Sequence, residues 1–177
     1  MCGIAGCVTK DLVSRNLINK TLHSMYNRGP DNQSKVRFEL GNKNIYLFHS
    51  RLSIIDLEPR SNQPFKFKNF TMIFNGEIYN FKEIRGQLIA LGHNFKTKSD
   101  TEVIIKAFSE WGTYSFKKFV GMWSIAIWDD RIKKLYLSRD RFGEKPYYYI
   151  VDKDELYFAS ELKTLKILYN KQLELNS

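Results

Sequence analysis

The sequence has few cysteines and no long hydrophobic run, and these absences exclude several classes of protein. Only Cys2 and Cys7 occur among 177 residues, too few for a small fold held together by disulfides. No apolar run approaches the roughly 18 residues that cross a membrane. Residues 1–10 contain two glycines and no basic stretch, which argues against a secretory signal. We therefore expect a cytoplasmic protein with reduced thiols and no membrane partner.

The spacing of the cysteines and histidines also argues against a disulfide bond and against a metal centre. Two cysteines five positions apart in one strand are separated by about 16 Å, whereas a disulfide needs Cα atoms within about 7 Å. The three histidines show no ligand spacing. The glycines are dispersed and form no phosphate-binding loop. We predict no metal and no cofactor in this chain.

The composition predicts one packed domain with a basic surface. Hydrophobic residues make up 43% and charged residues 27%, which allows a core and excludes a disordered chain. The net charge of +9 raises the hypothesis of nucleic-acid binding. The basic residues are nevertheless scattered, and lysine supplies 19 of the 28, whereas base recognition favours arginine. We expect no nucleic-acid partner.

Hydrophobic periodicity predicts an α+β domain. Helical patterns within 12–27, after Asn80 and after Ser99 alternate with strand-like runs, and both polar residues are followed by a glutamate in capping spacing. The strand after residue 121 is apolar at nearly every position, as in a strand covered on both faces. The predicted strands are the opening run of the chain, 36–40, 45–49, 70–74, 122–128, 135–139, 147–151 and 156–159.

Cys2 is the first candidate for chemistry. If the initiator Met1 is removed, this residue carries a thiol and a free α-amine, whose reference pKa is about 7.7–8.0. The amine can then act as the base that a thiol nucleophile otherwise needs from a neighbour. The alternative is a small buried hydrophobic residue.

Asn75 and Gly76, directly after a predicted strand, are the second candidate. A side-chain amide beside an unshielded backbone N–H can give two hydrogen bonds to one oxyanion. The alternative is a hairpin turn, for which Asn-Gly is the strongest short signal.

Two charged residues also have two interpretations each. Arg51, at the end of a predicted strand, could bind an α-carboxylate with its fork of donors, or form an ion pair with Asp56 or another acid. Asp100, at the start of a predicted helix, could hold a substrate ammonium, or be stabilised there by the helix dipole alone.

Taken together, the motifs resemble class II glutamine amidotransferase domains of the N-terminal nucleophile type. Among these they are most similar to the N-terminal half of glutamine-hydrolysing asparagine synthetases. The resemblance covers nearly the whole chain in the order of the family. Its motifs are Cys2-Gly-Ile-Ala-Gly, Arg28-Gly-Pro-Asp31, His49-Ser-Arg-Leu-Ser-Ile-Ile-Asp56, Asn62-Gln-Pro64, Asn75-Gly-Glu-Ile-Tyr-Asn80, Ser99-Asp-Thr-Glu-Val103, Gly121-Met-Trp123, Arg139-Asp-Arg-Phe-Gly-Glu-Lys-Pro146 and Ala159-Ser-Glu-Leu-Lys163.

This resemblance implies a four-layer α-β-β-α sandwich of two antiparallel sheets. It also implies that Cys2 attacks the glutamine amide and that Asn75 and Gly76 stabilise the oxyanion. The substrate-binding residues would be Arg51, with the backbone of Leu52, Ser53, Ile54 and Ile55, for the α-carboxylate, and Glu77 and Asp100 for the ammonium, beside Asn75 and Gly76.

The resemblance implies glutamine hydrolysis to glutamate and ammonia, with the ammonia used for ATP-dependent amidation, first of all of aspartate to asparagine. Residues 1–165 would form the glutaminase domain, and 166–177 would begin a linker to a synthetase domain, in the same chain or a separate one, that binds ATP and Mg²⁺. A homodimer is compatible with this reading. The alternatives are an acceptor from surface-polysaccharide or secondary metabolism, and a truncated domain without catalysis.

Overall fold

In the computed structural model, which describes residues 2–54 and 56–171, nine strands form two antiparallel sheets, each covered on its outer face by helices. The strands are Gly3–Thr9 (β1), Asn32–Leu40 (β2), Lys43–Arg51 (β3), Phe65–Phe67 (β4), Phe70–Ile78 (β5), Gly121–Asp129 (β6), Lys134–Arg139 (β7), Tyr148–Asp152 (β8) and Glu155–Ala159 (β9). The helices are Arg15–Ser24 (α1), Phe81–Ala90 (α2), Asp100–Trp111 (α3), Ser115–Lys118 (α4) and Leu162–Tyr169 (α5).

The strand order places the chain's first strand at the centre of one sheet. The first sheet has the order β2-β3-β1-β9-β8, and the second has the order β4-β5-β6-β7. β1 pairs with β3 on one side and with β9 on the other. Pairing with β3 begins at Gly3, so the residue before β1 lies beside the end of β3.

Alternation along the strands divides the core into three apolar layers. On β6, Ala126 and Trp128 point between the two sheets, whereas Ile125 and Ile127 point toward α2 and α3. On β3, Leu47 likewise lies between the sheets and Phe48 lies under α1 and α5. The predicted α+β class and four-layer sandwich are confirmed, and β6 is covered on both faces as predicted.

Two predicted helix caps have different outcomes. The Ser99 hydroxyl accepts the Thr101 N–H at the start of α3, as predicted. Glu102 does not complete a capping box, since it accepts the N–H groups of two residues before Ser99 and pairs with Lys106 at 2.8 Å. The side chain of Asn80 does not cap α2; it bonds instead to the backbone of the segment between α4 and β6.

Two further features bear on the sequence predictions. Asn75 and Gly76 lie inside β5, so the hairpin turn is wrong. The last helix, α5, runs through the predicted boundary after residue 165, and Leu168 within it is buried. The predicted linker, residues 166–177, therefore begins inside α5. Residues 172–177 lie outside the described part of the chain, so the domain boundary stays a prediction. No helix among the described residues is long and apolar enough to cross a membrane.

Candidate active site

A cleft of about 100 Å³ opens where the start of β1, the end of β3, the middle of β5 and the start of α3 meet. It gathers most of the residues that the sequence singled out, although they are spread over a hundred positions. The lining residues are Cys2, Arg51, Leu52, Ile54, Ser61, Gln63, Phe74, Asn75, Gly76, Glu77, Ser99, Asp100, Thr101, Met122 and Lys145.

The Cys2 thiol faces the backbone at the end of β3. Its Sγ accepts the Leu52 N–H at 3.4 Å and lies 3.6 Å from the Leu52 carbonyl oxygen, to which the thiol can donate. Burial raises the pKa of the thiol above its ordinary value, while the Leu52 N–H and the charge of Arg51 lower it in part. The thiol is therefore mainly protonated at neutral pH, and a reaction at sulfur requires a base.

The backbone of Cys2 is held from a distant part of the chain. The Arg28 Nε donates to the Cys2 carbonyl oxygen at 2.9 Å, and Glu161 pairs with the same guanidinium at 3.4 Å. Two residues further on, the Ile4 N–H donates to the Ser160 hydroxyl at 3.1 Å. These contacts fix the residue that carries the thiol before β1 begins.

Asn75 brings an unused donor to the cleft. The residue is 1% exposed, and its Nδ2 has no hydrogen-bond partner within residues 2–54 and 56–171. A buried donor without a partner costs about 1–3 kcal/mol, so such a group is typical of a site that awaits a ligand oxygen.

The neighbouring Gly76 lies on a stretch of strand edge that no other strand covers within residues 2–54 and 56–171. β4 pairs with β5 only as far as Met72. Beyond that point the Phe74 N–H donates to the side chain of Gln63 at 2.6 Å, and the Ile78 N–H donates to Asp100 at 3.2 Å. Because backbone groups of alternate residues point to the same edge, the Gly76 N–H is directed there as well, into the cleft.

Only glycine fits at position 76. A Cβ atom there would lie 2.1 Å from the Met122 carbonyl oxygen and 2.8 Å from the Trp123 Cα on β6. The missing side chain lets β5 and β6 approach and leaves the Gly76 N–H unshielded.

Arg51 is buried and holds the loop that follows it. Its Nη1 donates to the Glu58 carbonyl at 3.1 Å and to the Asn62 Oδ1 at 2.7 Å, and its Nη2 donates to the Asp56 carbonyl. The Asp56 carboxylate pairs with Arg60 instead, so the alternative ion pair with Arg51 is wrong. A guanidinium has five donors, and the described chain occupies three, which leaves two for a ligand.

Asp100 and Glu77 give the cleft its negative charge. Burial above all, helped by the nearby charge of Glu77, raises the pKa of Asp100 from 3.8 to about 6, although the N–H groups of Ile78 and Thr101 act to lower it. Glu77 is exposed at the rim. An ammonium group beside Asp100 would favour its ionised form. With Arg51, the cleft has groups of both signs, as a zwitterion requires.

The predicted backbone contacts of 52–55 divide into three groups. Leu52 and Ile54 line the cleft. The Ser53 N–H donates to the Asp31 carboxylate at 2.7 Å, and Ser53 is not among the lining residues. Ile55 lies outside the described residues.

Sequence reasoning missed Lys145, which is 2% exposed and lines the cleft. Burial lowers its pKa, as does the neighbouring charge of Arg28. The Asp140 carboxylate accepts four backbone N–H groups of this segment and of β6, including that of Lys145 at 2.9 Å. The segment 140–146 after β7 is thus held as a turn, and one of its residues lines the cleft. The sequence signal that could have identified Lys145 is its place in the motif Arg139-Asp-Arg-Phe-Gly-Glu-Lys-Pro146.

Comparison with known proteins gives consistent results. The family described as "Glutamine amidotransferase domain" matches residues 1–177. The chain is 37% identical over 177 residues to asparagine synthetase [glutamine-hydrolyzing] 1 of Bacillus subtilis, covering 96% of this chain and 27% of that protein. It is 40% identical over 174 residues to asparagine synthetase [glutamine-hydrolyzing] 2 of the same organism, covering 93% and 22%. The chain therefore spans about a quarter of the length of these curated relatives.

Solved structures agree on the fold. The glutamine phosphoribosylpyrophosphate amidotransferase of B. subtilis, in complex with ADP and GMP, superposes with a TM-score of 0.76 at 18% identity. The match covers 95% of this chain and 44% of that one. The chain thus shares its sandwich fold with that amidotransferase.

Proposed function

Because the chain belongs to the glutamine amidotransferase domain family, we propose that it hydrolyses glutamine to glutamate and ammonia at the cleft around Cys2. The observation that carries this proposal is a pair of donors in the cleft that holds a thiol: Asn75 Nδ2, which has no partner among the described residues, and the Gly76 N–H, which lies beyond the pairing of β4 with β5. That arrangement suits a reaction in which a carbonyl oxygen becomes negative.

The reaction begins at sulfur. With Met1 removed, the α-amine of Cys2 takes the thiol proton, and the thiolate attacks the side-chain carbonyl carbon of glutamine. A C–S bond forms, and the C=O pair moves onto oxygen, where Asn75 and Gly76 donate to it. The amine returns the proton to the leaving nitrogen, so the C–N bond breaks and ammonia departs. Water then adds to the thioester, and the C–S bond breaks to give glutamate and the free thiol.

Binding of glutamine uses the charged groups of the cleft. Two donors of Arg51 are left for the α-carboxylate, and Asp100 with Glu77 is left for the α-ammonium. Leu52 and Ile54 contribute backbone and apolar surface at the same place. The Ser53 N–H is engaged by Asp31, so we assign it the lesser part in binding.

The test is a glutaminase assay of the chain with Met1 removed, verified by intact mass, in which both glutamate and ammonia are measured. Cys2→Ala should abolish turnover, because the nucleophile is lost. Cys7→Ala is the matched control, since Cys7 is a buried free thiol outside the cleft. If Cys2→Ala hydrolyses glutamine as fast as the parent, the proposed mechanism is wrong.

We further propose that the ammonia serves an ATP-dependent synthetase domain that converts aspartate to asparagine. The names of the two relatives support this step. ATP and Mg²⁺ would bind in that domain, whereas this chain would need no cofactor. We place the reaction in the cytoplasm, without nucleic-acid or membrane partners, and we keep a homodimer as part of the proposal.

The second step requires its own assay. The full-length gene product, or this chain mixed with its separate synthetase partner, should form asparagine from aspartate, glutamine and ATP. Ammonium chloride in place of glutamine should restore synthesis in a Cys2→Ala variant. Amide formation on another carboxylate, with none on aspartate, would contradict the choice of acceptor.

A further inference from the structure

The stretch Asn62-Gln63-Pro64 connects the two binding regions of the cleft. Asn62 Oδ1 accepts from Arg51 at 2.7 Å, and the next residue, Gln63, is 5% exposed and lines the cleft. Gln63 Oε1 accepts the Phe74 N–H at 2.6 Å. Its side chain thus takes the place of a strand at the uncovered edge of β5, one residue before Asn75.

His49 contacts Phe74 from the opposite sheet. It lies on β3, is fully buried, and its Nε2 is 3.3 Å from the Phe74 carbonyl oxygen. Since a carbonyl only accepts, Nε2 carries the proton. Burial lowers the pKa of His49 to about 3, so the ring is neutral at neutral pH. Its Nδ1 has no partner within the described residues, which leaves the bond to Phe74 as the polar contact of this ring.

The two contacts fix the peptide groups on both sides of Phe74. The regular pairing of β4 with β5 ends at Met72, so main-chain bonds from that side do not reach Phe74. The Phe74 carbonyl belongs to the peptide group that leads into Asn75. Oxyanion donors must be held within about 0.5 Å of their working positions, which requires such support.

Resting on the proposed function, we propose that Gln63 and His49 are positioning residues for the oxyanion donors Asn75 and Gly76. Each holds one polar group of Phe74, Gln63 from the loop and His49 across the space between the sheets. Neither touches the reacting atoms. Their effect is on the position of the donors and therefore on the rate of the chemical step.

The test compares kcat and KM of glutaminase activity for paired variants. Gln63→Met and His49→Met remove one bond each, whereas Gln63→Glu keeps the acceptor and His49→Gln keeps a donor near the position of Nε2. Because loss of an oxyanion donor costs about 10²–10³ in kcat, its misplacement should cost about tenfold or more. KM should change by less than about threefold, and the bond-retaining variants should recover most of the rate.

Leu47→Ala is the matched control, because Leu47 lies on the same face of β3, between the sheets and away from the cleft. It should lower the melting temperature and leave kcat unchanged well below that temperature. If His49→Met does not fold, Gln63→Met decides, because its side chain borders the cleft. If the parent is active and the folded Gln63→Met variant has the same kcat, the positioning role is wrong and the proposed function stands. An inactive parent would overturn the proposed function as well.

Discussion

Asp100 is the buried carboxylate at the start of α3, and its ionised form should weaken the empty protein. Burial, with Glu77 nearby, raises its pKa from 3.8 to about 6. A value raised in the folded state means that the contribution to stability is fully present below about pH 3.8. It is lost as the pH rises through about 6. At about 1.4 kcal/mol per pKa unit, the loss is about 3 kcal/mol in order of magnitude.

Asp100→Asn removes this charge and keeps an oxygen that can accept the Ile78 N–H. We expect the free energy of unfolding of the variant to exceed that of the parent by about 3 kcal/mol at pH 8 and by about 0.5 kcal/mol at pH 4. Urea unfolding at several pH values measures this difference. Equal differences at both pH values, or no gain at pH 8, would refute the reasoning.

Asp140→Asn gives the opposite control. Although burial acts to raise the pKa of Asp140, four backbone N–H groups hold it below its ordinary value. This variant should therefore be less stable than the parent at neutral pH, and the deficit should shrink in acid.

Asp100→Asn should also raise KM for glutamine, because the ammonium loses its partner. Stability and activity should thus move in opposite directions at one residue.

Four further substitutions separate the roles of the cleft residues from that of their scaffold. Asn75→Ala should lower kcat by about 10²-fold or more with little change in KM, whereas Arg51→Ala should chiefly raise KM. Steady-state kinetics measures both parameters for both variants. If each variant changed kcat and KM equally, this division of roles would be wrong. Gly76→Ala should cost about 2 kcal/mol or more in denaturant unfolding, since its Cβ would meet the Met122 carbonyl oxygen at 2.1 Å. Gly86→Ala, with open space around its Cβ, should be neutral or stabilising, and equal effects of the two alanines would be inconsistent with the close approach.

The sequence singled out residues of the cleft more completely than it predicted their contacts. The types of residue that a thiol-based amide hydrolysis needs are visible in Cys2, Asn75 and Asp100, and the Ser99 cap was predicted from its spacing. The motifs also identified the family and, through it, the four layers. Periodicity alone gave the α+β class, since it does not say which sheet faces which.

Non-local contacts explain what the sequence left out. Asn75-Gly76 favours a turn locally, but pairing with β6 continues the strand through both residues. Glu102 has the spacing of a capping box, but Lys106 and two earlier N–H groups compete for its carboxylate. The uncovered edge of β5 depends on Gln63, eleven positions before Phe74. No local pattern reports such a contact.

The uncovered edge of β5 has a consequence for solubility. A bare strand edge invites pairing with a strand of another molecule and so promotes aggregation. Here Gln63 accepts the N–H of Phe74 and Asp100 accepts that of Ile78, so in the part of the chain that the structure describes the N–H of Gly76 is the one left open between them. One donor, recessed in a small cleft, gives an intruding strand no ladder to extend. The groups that prepare the edge for a substrate thus also protect it against misassembly.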